Sequence, residues 1–80
     1  MPRVRVRHFA LLRERLGEGA TRTVRSGTTV GALWKRTVER APSLAALQVR
    51  FAVNERYVEP DYVLADGDEL AVFPPVSGGA

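Results

Sequence analysis

Arginine and apolar residues alternate at the start of the chain, in the segment RVRVRHF over residues 3–9. This period of two is typical of a strand that buries one face. The two faces carry Val4, Val6 and His8 on one side and Arg5, Arg7 and Phe9 on the other. A short helix is predicted next, because Leu12 and Leu16 are spaced by one helical turn and Gly17 stands where such a helix would end. A second, β-branched strand is predicted around residues 21–25.

The longest helical pattern is TTVGALWKRTVERAP, residues 28–42. Thr29, or Thr28, can cap its amino end with a side-chain oxygen, and Pro42 ends the pattern because proline cannot continue a helix. Helical spacing places Val30, Leu33, Trp34, Val38 and Ala41 in one apolar stripe. We expect this stripe, including its tryptophan, to pack into the core and not to form a cofactor site.

The period of two returns in LQVRFAVNERYV, residues 47–58, and Asn54-Glu55 within it is predicted to form a turn. Val49, Phe51 and Val53 share one face of this strand. After a second turn signal, Asp66-Gly67, a last strand is predicted from about Glu69 to Phe73. It should direct Leu70 and Val72 to the core, and Ala71 and Phe73 away from it.

The order strand, strand, helix and further strands predicts an α+β fold, with a mixed sheet of about four to five strands and one main helix across one face. The helical crossover allows a late strand to run parallel to the first. We expect residues 1–75 to form this domain and residues 76–80 to form a flexible glycine tail.

Composition narrows the function. The 80 residues are 45% hydrophobic and 26% charged, which is ordinary for one small globular domain. With no cysteine and a single histidine, disulfides, thiolate metal sites and catalytic thiols are excluded. No apolar run resembles a signal peptide or a membrane span, so we expect a cytoplasmic protein without a membrane partner. The net charge of +3 either steers the chain toward an acidic partner or nucleic acid, or simply solvates its surface.

The chain shows no convergent set of titratable groups, so no active site of its own is predicted. We expect His8, on the Val4/Val6 face, to be a hydrogen-bonded structural histidine. Asp61, Asp66, Asp68 and Glu69 could hold a hard cation, but Asp-Gly-Asp before a strand is first of all turn chemistry, and we predict no metal site.

The segment AVFPPVSGGA, residues 71–80, follows the last strand directly. Pro74-Pro75 would stop the sheet and stiffen the exit from the domain. Gly78-Gly79, lacking side chains, could pass through a gap too narrow for other residues and carry a carboxyl group into a partner's active site. The alternative is a loose terminus without a function.

Four segments, VRHFALLRERLG, TTVGAL, FAVNERYV and above all LADGDELAVFPPVSGG, resemble the ubiquitin-like sulfur carriers, and among them the small subunits of molybdopterin synthase. The resemblance covers essentially the whole chain and implies the β-grasp fold. It also implies a non-catalytic subunit that acts as a co-substrate and binds no cofactor itself.

The resemblance implies that an adenylating enzyme uses ATP to activate the Gly79 carboxylate, and that a sulfurtransferase then supplies the sulfur of a thiocarboxylate. Gly78 would let the tail thread into the large subunit of molybdopterin synthase, where sulfur passes to cyclic pyranopterin monophosphate. The chain departs from the family pattern by continuing with Ala80. We expect Ala80 to be removed; otherwise Ala80 itself is activated, or the chain is not a carrier.

Partner-binding residues are expected where the outward face meets the tail, namely at Phe9, Phe73, Pro74, Pro75 and Val76. Arg5 and Arg7 could flank this patch and meet acidic groups. Alternatively, the two phenylalanines tuck under loops at the strand ends.

Other functions stay open at this point. The chain could carry sulfur for thiamine or for transfer RNA, be conjugated to lysines as a modifier, or act as a ubiquitin-like binding module that never carries sulfur. The FPPV segment favours the molybdopterin pathway, because carriers of the thiazole pathway usually lack it. We expect no nucleic-acid partner.

Overall fold

The structure, a computed structural model, describes residues 1–9 and 11–74, with the Leu11 side chain left out. Its strands are β1 (Arg3–His8), β2 (Gly19–Thr23), β3 (Arg50–Val53), β4 (Arg56–Val58) and β5 (Glu69–Phe73). Its α-helices are α1 (Leu11–Leu16) and α2 (Val30–Arg40), and a single 3-10 turn, Pro42–Leu44, follows α2.

The strands form one mixed five-stranded sheet in the order β2-β1-β5-β3-β4. β1 runs parallel to β5, and the other neighbouring strands are antiparallel. A parallel central pair requires a crossover, and the chain makes it through α2, which lies over one face of the sheet. The predicted α+β class and the β-grasp arrangement are confirmed.

Helix α2 begins and packs as its sequence predicts. Thr29 caps it, since its Oγ1 accepts a hydrogen bond from the Ala32 N–H at 3.1 Å. Val30 and Leu33 are buried, and Trp34 packs edge-on against Phe51 with ring centroids 6.4 Å apart. The core is closed by side chains from the three inner strands, β1, β3 and β5: Val4, Val6, Phe51, Val53, Leu70 and Val72.

Strand β2 starts earlier than predicted. The prediction of residues 21–25 was wrong by two positions at each end, because pairing with β1 already begins where Arg7 faces Gly19. At this point the two backbones approach so closely that a Cβ on Gly19 would collide with the Val6 carbonyl oxygen. A glycine with φ of +126° therefore opens the strand, and β-branched composition could not indicate it.

The predicted turn chemistry is confirmed by a small polar network. Asp68 is buried, with 7% of its surface exposed, yet both carboxylate oxygens accept hydrogen bonds, one from the Asn54 side chain at 2.9 Å and one from the Ala65 N–H at 2.7 Å. Asp66 accepts a bond from the Arg3 N–H at 2.8 Å. Near β2, His8 Nδ1 lies 3.2 Å from the Gly17 carbonyl, which confirms its structural role.

Candidate functional site

The sheet face that α2 leaves uncovered carries the residues that were expected to bind a partner. Because paired residues of neighbouring strands point to the same side, Arg7, Ala71, Ala52 and Tyr57 form one row across four strands. The next row contains Phe73, paired with Arg50. The predicted orientation of Ala71 and Phe73, away from the core, is confirmed.

Three rings of this face form what we call the aromatic cluster, Phe9, Tyr57 and Phe73. Phe9 and Phe73 are stacked with centroids 4.8 Å apart and planes inclined by 13°, and the Tyr57 ring lies 6.2 Å from Phe73. Such pairs contribute about 0.5–1.5 kcal/mol each beyond simple burial. The two phenylalanines are half-buried against each other, and Tyr57 is 72% exposed. Their shared position on the open face is what a docking role requires.

Small side chains lie beside the cluster. Ala52 is buried and Ala71 half-buried, between Tyr57 and Arg7 in this row. Tyr57 and Ala52 were missed in the sequence. The signal was present, because the alternation that sets Phe51 inward sets Ala52 outward, and the short Asn54-Glu55 turn returns Tyr57 opposite Ala52.

Charge borders the cluster on one side. The Arg7 guanidinium lies 5.3 Å from the centre of the Phe9 ring, and its Nη1 is 3.9 Å from a Glu69 carboxylate oxygen. Both side chains of this ion pair are about half exposed, so water screens it and a partner's carboxylate could replace Glu69 at little cost. Arg5 extends the basic border along β1.

The tail begins at the cluster. Phe73 is the last residue of β5, a central strand, and the half-buried Pro74 follows it directly. The remaining predicted tail residues lie outside the described residues: Pro75, Val76, Gly78, Gly79 and Ala80. Their roles, and the domain boundary at residue 75, stay predictions. The fold places the start of the tail, at Pro74, next to the aromatic cluster.

Within residues 1–9 and 11–74 no group of three or more histidine or acidic side chains is placed to hold a metal ion. In the same part of the chain, none of the helices has the length and apolar character to cross a membrane.

Comparison with known proteins identifies the family of this chain. The sequence profile of the ThiS family matches residues 6–79. The chain belongs to the ThiS family.

Several relatives of this ThiS-family chain are molybdopterin synthase sulfur carrier subunits. The Escherichia coli protein of that name is 38% identical, with 95% of this chain and 99% of the relative covered. The Mycobacterium tuberculosis protein of the same name is 36% identical, with 99% and 100% covered.

Solved structures that are similar to this chain include proteins of the same kind. A putative molybdopterin converting factor, subunit 1, from Pyrococcus furiosus has a TM-score of 0.83 at 31% identity, covering 95% of this chain and 100% of that one. In Helicobacter pylori, a subunit of the complex of subunits 1 and 2 of molybdopterin-converting factor has a TM-score of 0.66 at 25% identity, covering 96% and 99%. SAMP1 of Haloferax volcanii has a TM-score of 0.77 at 30% identity, covering 96% and 99%.

Proposed function

We propose that this chain is the sulfur carrier of a molybdopterin synthase and so serves molybdenum cofactor biosynthesis. The observation that carries the proposal is the family match, which extends from β1 to residue 79 and thus includes both glycines of the tail. The relatives named as sulfur carrier subunits align over nearly the whole chain. The fold supports the same function, since it roots the tail on an open, aromatic face.

The chemistry resides in the carboxyl group of Gly79. A carboxylate is a poor acyl donor, so it must first attack the α-phosphorus of ATP on an adenylating enzyme, which releases pyrophosphate and leaves an acyl-adenylate. The persulfide of a sulfurtransferase then displaces AMP to give an acyl disulfide, and a thiol reductant cleaves its S–S bond to leave a thiocarboxylate. The charged tail delivers this sulfur to cyclic pyranopterin monophosphate in the large subunit. ATP is thus consumed by the activating partner, and we place the carrier with these enzymes in the cytoplasm.

The bond between Gly79 and Ala80 must be cleaved before this chemistry can begin. An amide carbonyl cannot take up AMP in the way that a free carboxylate does, so hydrolysis after Gly79 is an obligatory step of the proposal. A peptidase acting on the tail would supply it, with water as the co-reactant. Gly78, without a side chain, would then follow Gly79 into the narrow entrance of the partner's active site.

The aromatic cluster is the surface we assign to the large subunit. Aromatic rings on an uncovered sheet face are typical of interface hot spots. Pro74, with Pro75 and Val76 after it, would continue this contact toward the active site. The H. pylori complex, in which a relative is bound to subunit 2, supports a partner of this kind.

Intact-mass spectrometry tests the proposal directly. The chain ending at Gly79 is incubated with the adenylating enzyme of its source cells, ATP and a sulfur donor. We expect a mass gain equal to the exchange of one oxygen for sulfur, localised to the last residue by fragmentation. Omission of ATP is the matched control. No gain in the complete mixture would remove the sulfur-carrier function.

A second function for the same carboxylate is favoured by one observation, the likeness to SAMP1 of Haloferax volcanii, which is a small archaeal modifier protein. The same acyl-adenylate would then be attacked by a lysine amine, forming an amide instead of a thiocarboxylate. Affinity purification of the tagged chain from its own cells, followed by a search for lysine residues bearing its carboxyl-terminal glycines, distinguishes this outcome.

A further inference from the structure

On the α2 side of the sheet, β2 is left partly uncovered. β2 is an edge strand, and its inward-facing residues are Ala20 and Arg22, which pair with Val6 and Val4. The two valines are buried, but Ala20 is exposed and Arg22 half-buried. Helix α2 therefore covers β1 and stops short of β2, which leaves a groove of about 220 Å³ between β2, α1 and α2.

The groove combines an apolar floor with positive charge. Val6, Leu16 and Leu33 supply apolar side chains, while Arg22 from β2 and Arg40 from the last turn of α2 supply two guanidinium groups. No aspartate or glutamate is among the described residues that line it. The ion pair found in the described part of the chain joins Arg7 to Glu69 on the other face, so neither groove arginine takes part in it.

The other polar side chains in the groove are already engaged. The Thr37 hydroxyl donates to the Leu33 carbonyl at 3.3 Å, and His8 Nδ1 contacts the Gly17 carbonyl. The groups left to attract a ligand are thus the two guanidiniums, which favour carboxylates. An occupant should therefore be apolar where it meets the floor and acidic where it meets the arginines.

The open edge of β2 indicates that the bound segment is an extended strand. The Val24 N–H donates to the Pro2 carbonyl and the His8 N–H donates to the Glu18 carbonyl. Hydrogen-bonded pairs alternate along an antiparallel ladder, so the even-numbered residues of β2 bond to β1. The N–H and C=O groups of Gly19, Thr21 and Thr23 consequently point outward from the sheet, as a template for another strand.

We propose that this edge and groove bind an extended segment of another protein, apolar at its centre and acidic at its ends, as an added strand on β2. Main-chain hydrogen bonds to the outward groups of β2 hold the segment, its apolar side chains cover Val6, Leu16 and Leu33, and its carboxylates pair with Arg22 and Arg40. The site lies on the opposite face from the aromatic cluster, so the carrier can hold this partner while its tail is engaged elsewhere. It does not depend on the sulfur-carrier function.

Fluorescence anisotropy with a labelled peptide, EEVIVLEE, tests the proposal on the full chain. Its length of about eight residues suits one strand. We expect a Kd of about 10–100 μM. NMR spectra of the chain should then show amide chemical-shift changes in β2, α1 and the end of α2 but not at Tyr57 or Phe73. The peptide KKVIVLKK should bind at least about tenfold more weakly, since it repels the guanidiniums.

Two comparisons separate strand addition from nonspecific attraction. Two further peptides carry N-methyl groups on alternate residues, one at the odd and one at the even positions. The peptide whose methylated N–H groups would face β2 should not bind, whereas the other should still bind. The double variant Arg22→Glu/Arg40→Glu should lose at least about tenfold in affinity, whereas Arg25→Glu/Arg36→Glu, with the same charge change outside the groove, should lose less than about threefold. Circular dichroism checks the fold, and the Arg22→Gln/Arg40→Gln pair repeats the test without charge reversal.

Three outcomes would overturn the proposal. They are no binding by the wild-type chain at millimolar peptide, equal losses in both charge-reversal pairs, or shift changes centred on the aromatic cluster. Equal binding of both N-methylated peptides would likewise contradict an added strand.

Discussion

At the scale of single residues, the most constrained side chain is a carboxylate. Asp68 is buried just before β5, and burial of a charged group is tolerated only when its oxygens are hydrogen-bonded. Its two acceptor bonds tie together three segments of the chain: the β3–β4 turn through Asn54, the loop before β5 through Ala65, and β5 itself. Asn54 completes the link, because its side-chain oxygen accepts the Glu69 N–H at 3.0 Å.

Removal of this carboxylate should destabilise the domain far more than removal of its neighbour. Asp68→Ala leaves the Ala65 N–H and the Asn54 amide without their acceptor in a partly buried site, so we expect a loss of about 2–3 kcal/mol in the free energy of unfolding. Asp66→Ala removes one exposed acceptor for Arg3 and should lose less than about 1 kcal/mol. Urea unfolding followed by circular dichroism measures both. Equal losses would show that the buried network does not matter.

At the scale of elements, the β3–β4 hairpin is closed by two residues in an unfavourable conformation. Asn54 and Glu55 have φ of 51° and 71°, so both lie in the left-handed region. This is the type I′ geometry that two-residue hairpins favour, and Asn-Gly is its preferred sequence. Asn54 suits its position, but Glu55 carries a Cβ where glycine would be unstrained.

Glu55→Gly should therefore stabilise the protein. We expect the free energy of unfolding to rise by about 0.5–1 kcal/mol, since relief of the left-handed strain exceeds the entropy that glycine adds to the unfolded chain. Thermal unfolding monitored by calorimetry detects the change. Glu59→Gly, at an exposed position without positive φ, is the matched control and should be neutral or destabilising. A gain in the control and none at Glu55 would contradict the strain argument.

The elements also show which parts of the fold could be predicted from sequence. α2 and β5 were predicted well because their signals are local: a capping Thr29, an apolar stripe, and strict alternation after a turn. The start of β2 was not, because it depends on how Gly19 fits against the Val6 carbonyl of another strand. Tyr57 differs, since the alternation around Ala52 and the two-residue turn that returns Tyr57 opposite it were present in the sequence and were overlooked.

At the scale of the whole molecule, the two proposed contacts lie on opposite faces. The aromatic cluster, the basic border and the start of the tail lie on the open sheet face. One partner could therefore contact the domain there and bind the tail at the same time. The α2 face keeps the core and, at its β2 edge, the proposed peptide groove. The proposed role of Gly79 could be predicted only by resemblance, because the chemistry of a carboxyl group at the end of a tail leaves no pattern in the folded domain.

If the aromatic cluster docks to the large subunit, Phe73→Arg should weaken that complex at least about tenfold, because it puts a guanidinium where an apolar ring filled the interface. Isothermal titration calorimetry against the large subunit measures the affinity, and circular dichroism verifies the fold. Gln48→Arg, an exposed position outside the cluster, is the control and should bind like the wild type. Unchanged affinity of a folded Phe73→Arg protein would rule out this docking surface.

The tail is best tested in cells, where cleavage, activation and delivery must all succeed. In a strain lacking the gene, activity of a molybdenum enzyme should return with the chain ending at Gly79 and with the chain ending at Ala80, the second only while its tail is cleaved. Gly79→Pro in the longer chain should block both cleavage and activity, because proline removes the backbone freedom that a protease and a narrow active-site entrance require. Deletion of Gly78 and Gly79 together should abolish activity while the domain stays folded. Activity that survives this deletion would mean that the acyl group of the tail does not carry the sulfur.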